Sequence, residues 1–151
     1  MKLSPEEKKM RKDFLPGEIT RDGFLGTDAR HIHDIIREDL KILEYENIST
    51  QQMADRMQYF TDQGKEALEN NIEVDTYTVR IDWARGMIPC PFGEPGLHHK
   101  ITVYLTNTKT GQSITFTQLS IHLIREHGFF AGKGSPFRLE PLFLKGFLGL
   151  G

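Results

Sequence analysis

One cysteine in 151 residues, Cys90, leaves no partner for an intramolecular disulfide. The fold must therefore rest on its core and on polar contacts, and the compartment expected from this is a reducing one, the cytoplasm. No stretch approaches 18 apolar residues, which excludes a transmembrane helix. The opening segment MKLSPEEKKMRKDFLPGE has no apolar stretch of the kind a secretory leader needs. Charge of one sign is lacking too. With a formal net charge of -2 and a pI near 6.3, no global field draws the chain to nucleic acid or to an anionic membrane. There is neither an internal repeat nor a linker that would divide the chain.

What is present is the profile of one folded domain spanning residues 1–151. Hydrophobic residues make up 38% and charged residues 26%, and a domain of this size buries roughly 70% of its unfolded surface. Residues 1–18 read as a charged, mobile arm, because Glu6 and Glu7 offset Lys8, Lys9, Arg11 and Lys12.

The first amphipathic helix opens near Thr27 or Asp28, either of which can cap it. Ile32, Ile35, Ile36, Leu40, Ile42 and Leu43 make its apolar arc. Asp39 falls inside that arc. A carboxylate there needs a donor or a raised pKa, so Asp39 is a candidate buried acid, or else the partner of an arginine. A second helix starts at Ser49, which forms a capping box with Gln52 and a staple between Ile48 and Met53. Met53, Met57, Phe60, Ala67 and Leu68 share one face, with Gly64 in its middle, a position that predicts close approach of another helix. The short connection makes the two helices an antiparallel hairpin.

After Asn71 the period changes from 3.6 to 2. Tyr77, Val79, Ile81 and Trp83 alternate with polar residues as a half-buried strand. A loop rich in proline and glycine follows, from Gly86 to Gly96. Ile101 to Phe116 reads as a β-hairpin turning at Asn107–Gly111. Thr117 then caps a short helix, Gln118 to His127, and Gly128 stops it. Leu119 and Leu123 point one way and Ile121 and Ile124 another, so this helix belongs between two layers. The expected fold is α+β: an N-terminal helical hairpin packed on a small, mainly antiparallel sheet of about three strands, with a short buried helix after the hairpin. Residues 139–151 form an apolar, glycine-broken tail that either docks on the domain or covers a second subunit.

Chemistry concentrates around that short helix. Cys90, His98 or His99, His122 and His127 could supply a thiolate and imidazoles to zinc. The His122-x4-His127 spacing is the one found in the helical half of zinc fingers. Strand parity puts His99 with Ile101, Val103 and Leu105, toward the helix, and His98 on the opposite face. On a regular helix His122 and His127 lie about 140° apart, so they cooperate only if the helix ends at Gly128. His31 and His33 are about 200° apart on a helix and cannot share a metal.

A second cluster, Lys133, Ser135 and Arg138, sits in the glycine-rich run AGKGSPFR and could hold a small anion. It lacks the spacing of a phosphate-binding P-loop. Cys90 with a histidine, oriented by Asp39 or Glu126, would be a nucleophilic arrangement, but nothing local activates Cys90, and no catalytic residue is assigned. Tyr77, Trp83, Arg80 and Arg85 could form a stacking surface for nucleic acid, yet parity sends both aromatic rings inward. The expected role is therefore a non-catalytic cytoplasmic binding or interaction domain, a homo-oligomer or partner-binding protein through its apolar C-terminus. The alternative is a zinc-binding protein or small metal-dependent enzyme built on Cys90 and the C-terminal histidines.

Overall fold

The computed structural model describes residues 5–68 and 70–150. Met1 to Ser4, Glu69 and Gly151, which belong in part to the expected arm and tail, lie outside the described residues. Among the described residues the elements run α1 (Pro5–Lys12), α2 (Ile32–Tyr45), α3 (Thr50–Glu66), β1 (Ile72–Val74), β2 (Tyr77–Pro89), β3 (Leu97–Asn107), β4 (Ser113–Thr117), α4 (Gln118–His127) and α5 (Pro141–Phe147). The strands form one antiparallel sheet in the order β1-β2-β3-β4. This is an α+β fold.

Local signals position several elements as expected. Ser49 and Gln52 close a capping box at the start of α3, and Thr117 with Ser120 closes another at the start of α4. Gly128 ends α4 at φ 64°, a left-handed geometry that glycine adopts without strain. The first helix departs from expectation. His31, not Thr27 or Asp28, precedes α2, because Asp28 is occupied by the Arg30 guanidinium at 2.6 and 2.9 Å. Leu40 and Ile42, placed in the apolar arc, are exposed.

Two apolar clusters divide the interior. In the first, Met53, Met57 and Phe60 of α3 pack on Val79 and Ile81 of β2 and on Val103 and Leu105 of β3. In the second, Phe14, Phe24, Ile32, Ile35 and Phe129 gather around Cys90. α4 joins them: Ile121 and Ile124 belong to the first cluster, Leu119 and Leu123 to the second. The two faces of one helix thus serve two layers, which is why its sequence is apolar on both.

The close approach at Gly64 is made by the sheet rather than by a helix. A Cβ there would stand 2.8 Å from Ile81 Cγ2 and 3.0 Å from Val79 Cγ1. α3 also stops sooner than its apolar face suggested. Ala67 is its C-cap, and Leu68 has φ 50° and is 81% exposed. Beyond the end of α3 the sheet loses its cover, so Trp83 is 46% exposed with Lys65 Nζ 5.8 Å from its ring centre.

The strand β2 runs on to Pro89, through residues expected to be loop. Ala84 pairs with Lys100 and Met87 with His99, so Arg85 and Gly86 are extra and form a bulge, with Gly86 at φ 91°. Bulges of this kind bend a strand and increase its twist. β4 ends with Thr117 opposite Thr102, so the Leu97–Ile101 half of β3 is paired only with β2.

Segments near both ends of the described residues are built into the domain. Arg11 donates to the carbonyls of Asp28 and Arg30 at 2.7 Å, and Phe14 is fully buried. The C-terminal segment docks on its own domain: Leu144, Phe147 and Leu148 enter the first cluster, and Tyr77 Oη donates to the Phe147 carbonyl. The apolar tail that suggested a second subunit thus spends most of its apolar surface within the chain, although Leu142 and Phe143 remain exposed.

Candidate metal centre

The end of β2 delivers Cys90 into the protein, 2% exposed, beside Leu119 and Leu123 of α4. A turn closed by Gly93 N–H donating to the Cys90 carbonyl brings the chain back, so that Glu94 faces the same helix. His122 and His127 reach out from α4 to meet it. Both imidazoles present Nε2 to one oxygen, Glu94 Oε1: His127 at 2.7 Å, His122 in a still shorter contact. Cys90 Sγ stands 3.7 Å from His127 Nε2. One donor atom from each of Cys90, Glu94, His122 and His127 lies within 4.8 Å of all the others.

The two histidines meet although a regular helix separates them by about 140°. His127 is the last residue of α4, and its ring stacks on Phe92 at 4.0 Å with an interplanar angle of 14°. Stacking on a loop aromatic fixes the ring on the side where the loop lies, and His122 reaches that loop from one turn earlier. The side chains of His122 and His127 are 20% exposed and that of Glu94 is 36% exposed, so the cluster sits at the rim with its sulfur inside.

Electrostatics follow from the arrangement. The His127 hydrogen bond, with those from Cys90 and His122, holds the Glu94 carboxyl down at about 2. Burial pushes the Cys90 thiol up to about 12, and the Glu94 carboxylate pushes in the same direction. Without a cation the sulfur is a protonated thiol, not the thiolate that nucleophilic catalysis requires. The hydrogen bonds also argue against a nucleophilic relay. In such a relay the carboxylate orients one imidazole nitrogen while the other faces the nucleophile. Here Glu94 and Cys90 both address Nε2 of His127. Donors that converge on one point, rather than forming a chain, suit a cation at that point. A thiolate, two imidazoles and a carboxylate make a tetrahedral set suited to zinc.

The other residues singled out from the sequence fall as follows. His98 lies against His122, ring centres 4.3 Å apart, and burial, then the charge on His122, lowers its pKa. His99, expected to face the helix, instead meets Trp83 edge-on at 5.2 Å. The bulge and its added twist turn the far end of the β2–β3 ribbon, and α4 runs on from β4 beside the half of β3 that lacks a strand there. The parity argument assumed a flat sheet.

Glu94 was not singled out at all. Its one legible sign is position, four residues after Cys90 in the same proline- and glycine-rich loop. Glu126, weighed as an orienting carboxylate, is exposed.

Asp39 is 2% exposed and binds Arg138 with both oxygens, at 2.6 and 3.0 Å. Arg138 also donates to the Ala131 carbonyl and to Glu140. Ser135 donates to the Gly23 carbonyl, and the Lys133 N–H donates to Asp28. The groups expected to cradle an anion are thus committed to stitching the 131–138 loop onto the N-terminal segment, with only the Lys133 side chain left exposed at the surface. Of the surface proposed for stacking, Tyr77 is buried and Arg80 is paired with Asp82.

Fold and cluster together describe an α+β domain with a candidate Cys-Glu-His-His metal centre. Compared with protein-family models, with curated proteins and with solved structures, the chain matches none. Among the described residues no helix is long and apolar enough to cross a membrane.

Proposed function

We propose that this chain is a non-catalytic zinc-binding domain, in which Cys90, Glu94, His122 and His127 hold one zinc ion. The observation that carries the reading is the convergence of four donor atoms of the right chemical kinds within 4.8 Å of one another. Four protein ligands fill a tetrahedral shell and leave no open position for substrate, the hallmark of a structural rather than a catalytic site. The metal ties the Cys90–Gly96 loop to the last turn of α4. That loop has no strand pairing of its own and is otherwise held by Phe92 and the Cys90–Gly93 turn. The domain then acts by binding, with zinc shaping the surface around residues 91–96.

The test is metal analysis of protein prepared without an affinity tag and desalted after exposure to excess zinc. One zinc per chain is expected, and less than a tenth of that in the His122→Ala/His127→Ala variant. Metal-free protein, or equal zinc in both forms, sinks the reading.

A further inference from the structure

A cavity separate from the four-residue cluster opens between the bulged half of the β2–β3 ribbon, the start of α4 and the N-terminal segment. Its volume is about 270 Å³. Phe24, Ile88, Ile101, Leu119 and Phe137 make its floor, an apolar surface in contact with the second core cluster. Lys100 and Thr102 stand at its edge, two residues apart on β3 and so on one face of the strand. The bulge in β2 places Gly86 here, and Lys100 Cε and Nζ lie 3.9 Å from where a Cβ at Gly86 would be. The ammonium group thus rests over bare main chain.

Among the described residues the exposed Lys100 side chain makes no ion pair and no hydrogen bond, and the Thr102 hydroxyl has no partner. The carboxylate across the strands from Thr102, that of Asp82, is taken by Arg80 at 2.5 Å. An apolar cavity with an unpaired cation and a free hydroxyl at one edge matches a ligand with an apolar body and a single anionic end.

We propose that this cavity binds a small monocarboxylate with a hydrocarbon chain. The chain lies on Phe24, Ile88, Leu119 and Phe137, and the carboxylate accepts from Lys100 Nζ and Thr102 Oγ1. The proposal is independent of the zinc reading, since none of the four proposed ligands lines the cavity.

Trp83, the only tryptophan, is the reporter, because its ring touches His99, which lines the cavity. Octanoate is titrated into the purified protein, following tryptophan fluorescence and heat, with octanol and octyltrimethylammonium as matched probes. Octanoate is expected to saturate at one per chain, with octanol and the ammonium compound at least tenfold weaker. Lys100→Gln should weaken octanoate roughly tenfold, the loss of one charge-assisted contact, while leaving octanol binding and thermal midpoint unchanged. Ala84→Phe, at an exposed position on the cavity wall, should block octanoate without unfolding the protein. No saturable octanoate binding, octanol binding as tightly as octanoate, or full affinity in Lys100→Gln overturns the proposal. So does binding that survives Ala84→Phe.

Discussion

Cys90 Sγ stands 3.7 Å from Nε2 of His127, close to the edge of roughly 3.6 Å that a tetrahedral zinc imposes between a sulfur and a nitrogen ligand. Glu94 Oε1 is nearer to the same nitrogen, at 2.7 Å, a hydrogen-bond length. A metal would open that contact to about 3.4 Å. Both contacts of His127 Nε2 are therefore within an ångström of the spacing a zinc ion would impose. A cation must displace the protons now shared among the ligands, open the Glu94 contacts to both imidazoles, and draw together donors that stand up to 4.8 Å apart.

Cobalt(II) makes the proposed ligand set visible. Added in place of zinc, it should give the visible bands of a tetrahedral ion and a near-ultraviolet thiolate-to-cobalt band. Cys90→Ser should remove the thiolate band, and His127→Ala should abolish binding. Glu94→Gln should weaken the metal at least about tenfold, since even outer-shell partners are commonly worth that much. A pale octahedral spectrum without the thiolate band would show that the sulfur is not a ligand.

Gly64 tests how closely α3 lies on the sheet. Alanine improves helix propensity by about 1 kcal/mol, but its methyl would press on Ile81 Cγ2 and Val79 Cγ1. Both belong to stiff, buried, β-branched residues of a central strand, so overpacking should win and Gly64→Ala should destabilise by about 1–2 kcal/mol. Gly146→Ala in α5 is the control. Nothing lies within 4 Å of its added methyl, and the same change there should stabilise by about 0.5–1 kcal/mol. Urea denaturation of the two variants decides; a stabilised Gly64→Ala would mean the helix can lift off the sheet at little cost.

The elements legible in the sequence were those whose signal is local. The Ser49–Gln52 box, the Thr117 cap and the Gly128 stop each depend on a few neighbouring residues. Gly64 announced a close approach, but what approaches it is set by topology, and the sheet rather than a helix does so. The β2 strand looked finished at Trp83 because two extra residues, Arg85 and Gly86, break the alternation while the ladder continues past them. That same bulge undid the assignment of His98 and His99. Cys90, His122 and His127 were legible as ligand types with workable spacing. Glu94 was not, because a loop carboxylate obeys no periodicity and only the fold brings it between two imidazoles.

Asp39 and Arg138 bridge α2 to the 131–138 loop with both side chains nearly buried, 4% and 8% exposed. Removing one partner leaves a charge with no water to solvate it, so Asp39→Ala should cost about 3–5 kcal/mol. Glu140 and the Ala131 carbonyl still hold the guanidinium, which puts the expectation toward the lower end. Replacing both partners, as Asp39→Leu with Arg138→Met, should cost less than the single change, because no orphan charge remains. Chemical denaturation of the three proteins measures this. A double variant less stable than Asp39→Ala would show that the pair contributes more than its own mutual neutralisation.

Asp28 makes part of the fold's stability depend on acid. The Arg30 side chain, with N–H donors from Lys133 and Arg30, holds the Asp28 carboxyl down from 3.8 to about 2. A carboxyl with a lowered folded pKa stabilises the protein above its unfolded value and loses that contribution as the pH falls through the folded one. Nearly two pKa units correspond to about 2 kcal/mol, fully present above about pH 4 and fading between 4 and 2. Asp28→Asn keeps an oxygen for the Lys133 N–H but loses the charge facing Arg30. It should be less stable than the parent by about 2 kcal/mol at pH 6, and the gap should narrow steadily as the pH falls from 4 to 2. Urea midpoints taken across that range test the sign as well as the size. A gap that stays constant, or widens in acid, would mean that Asp28 acts through its shape and hydrogen bonds rather than through its charge.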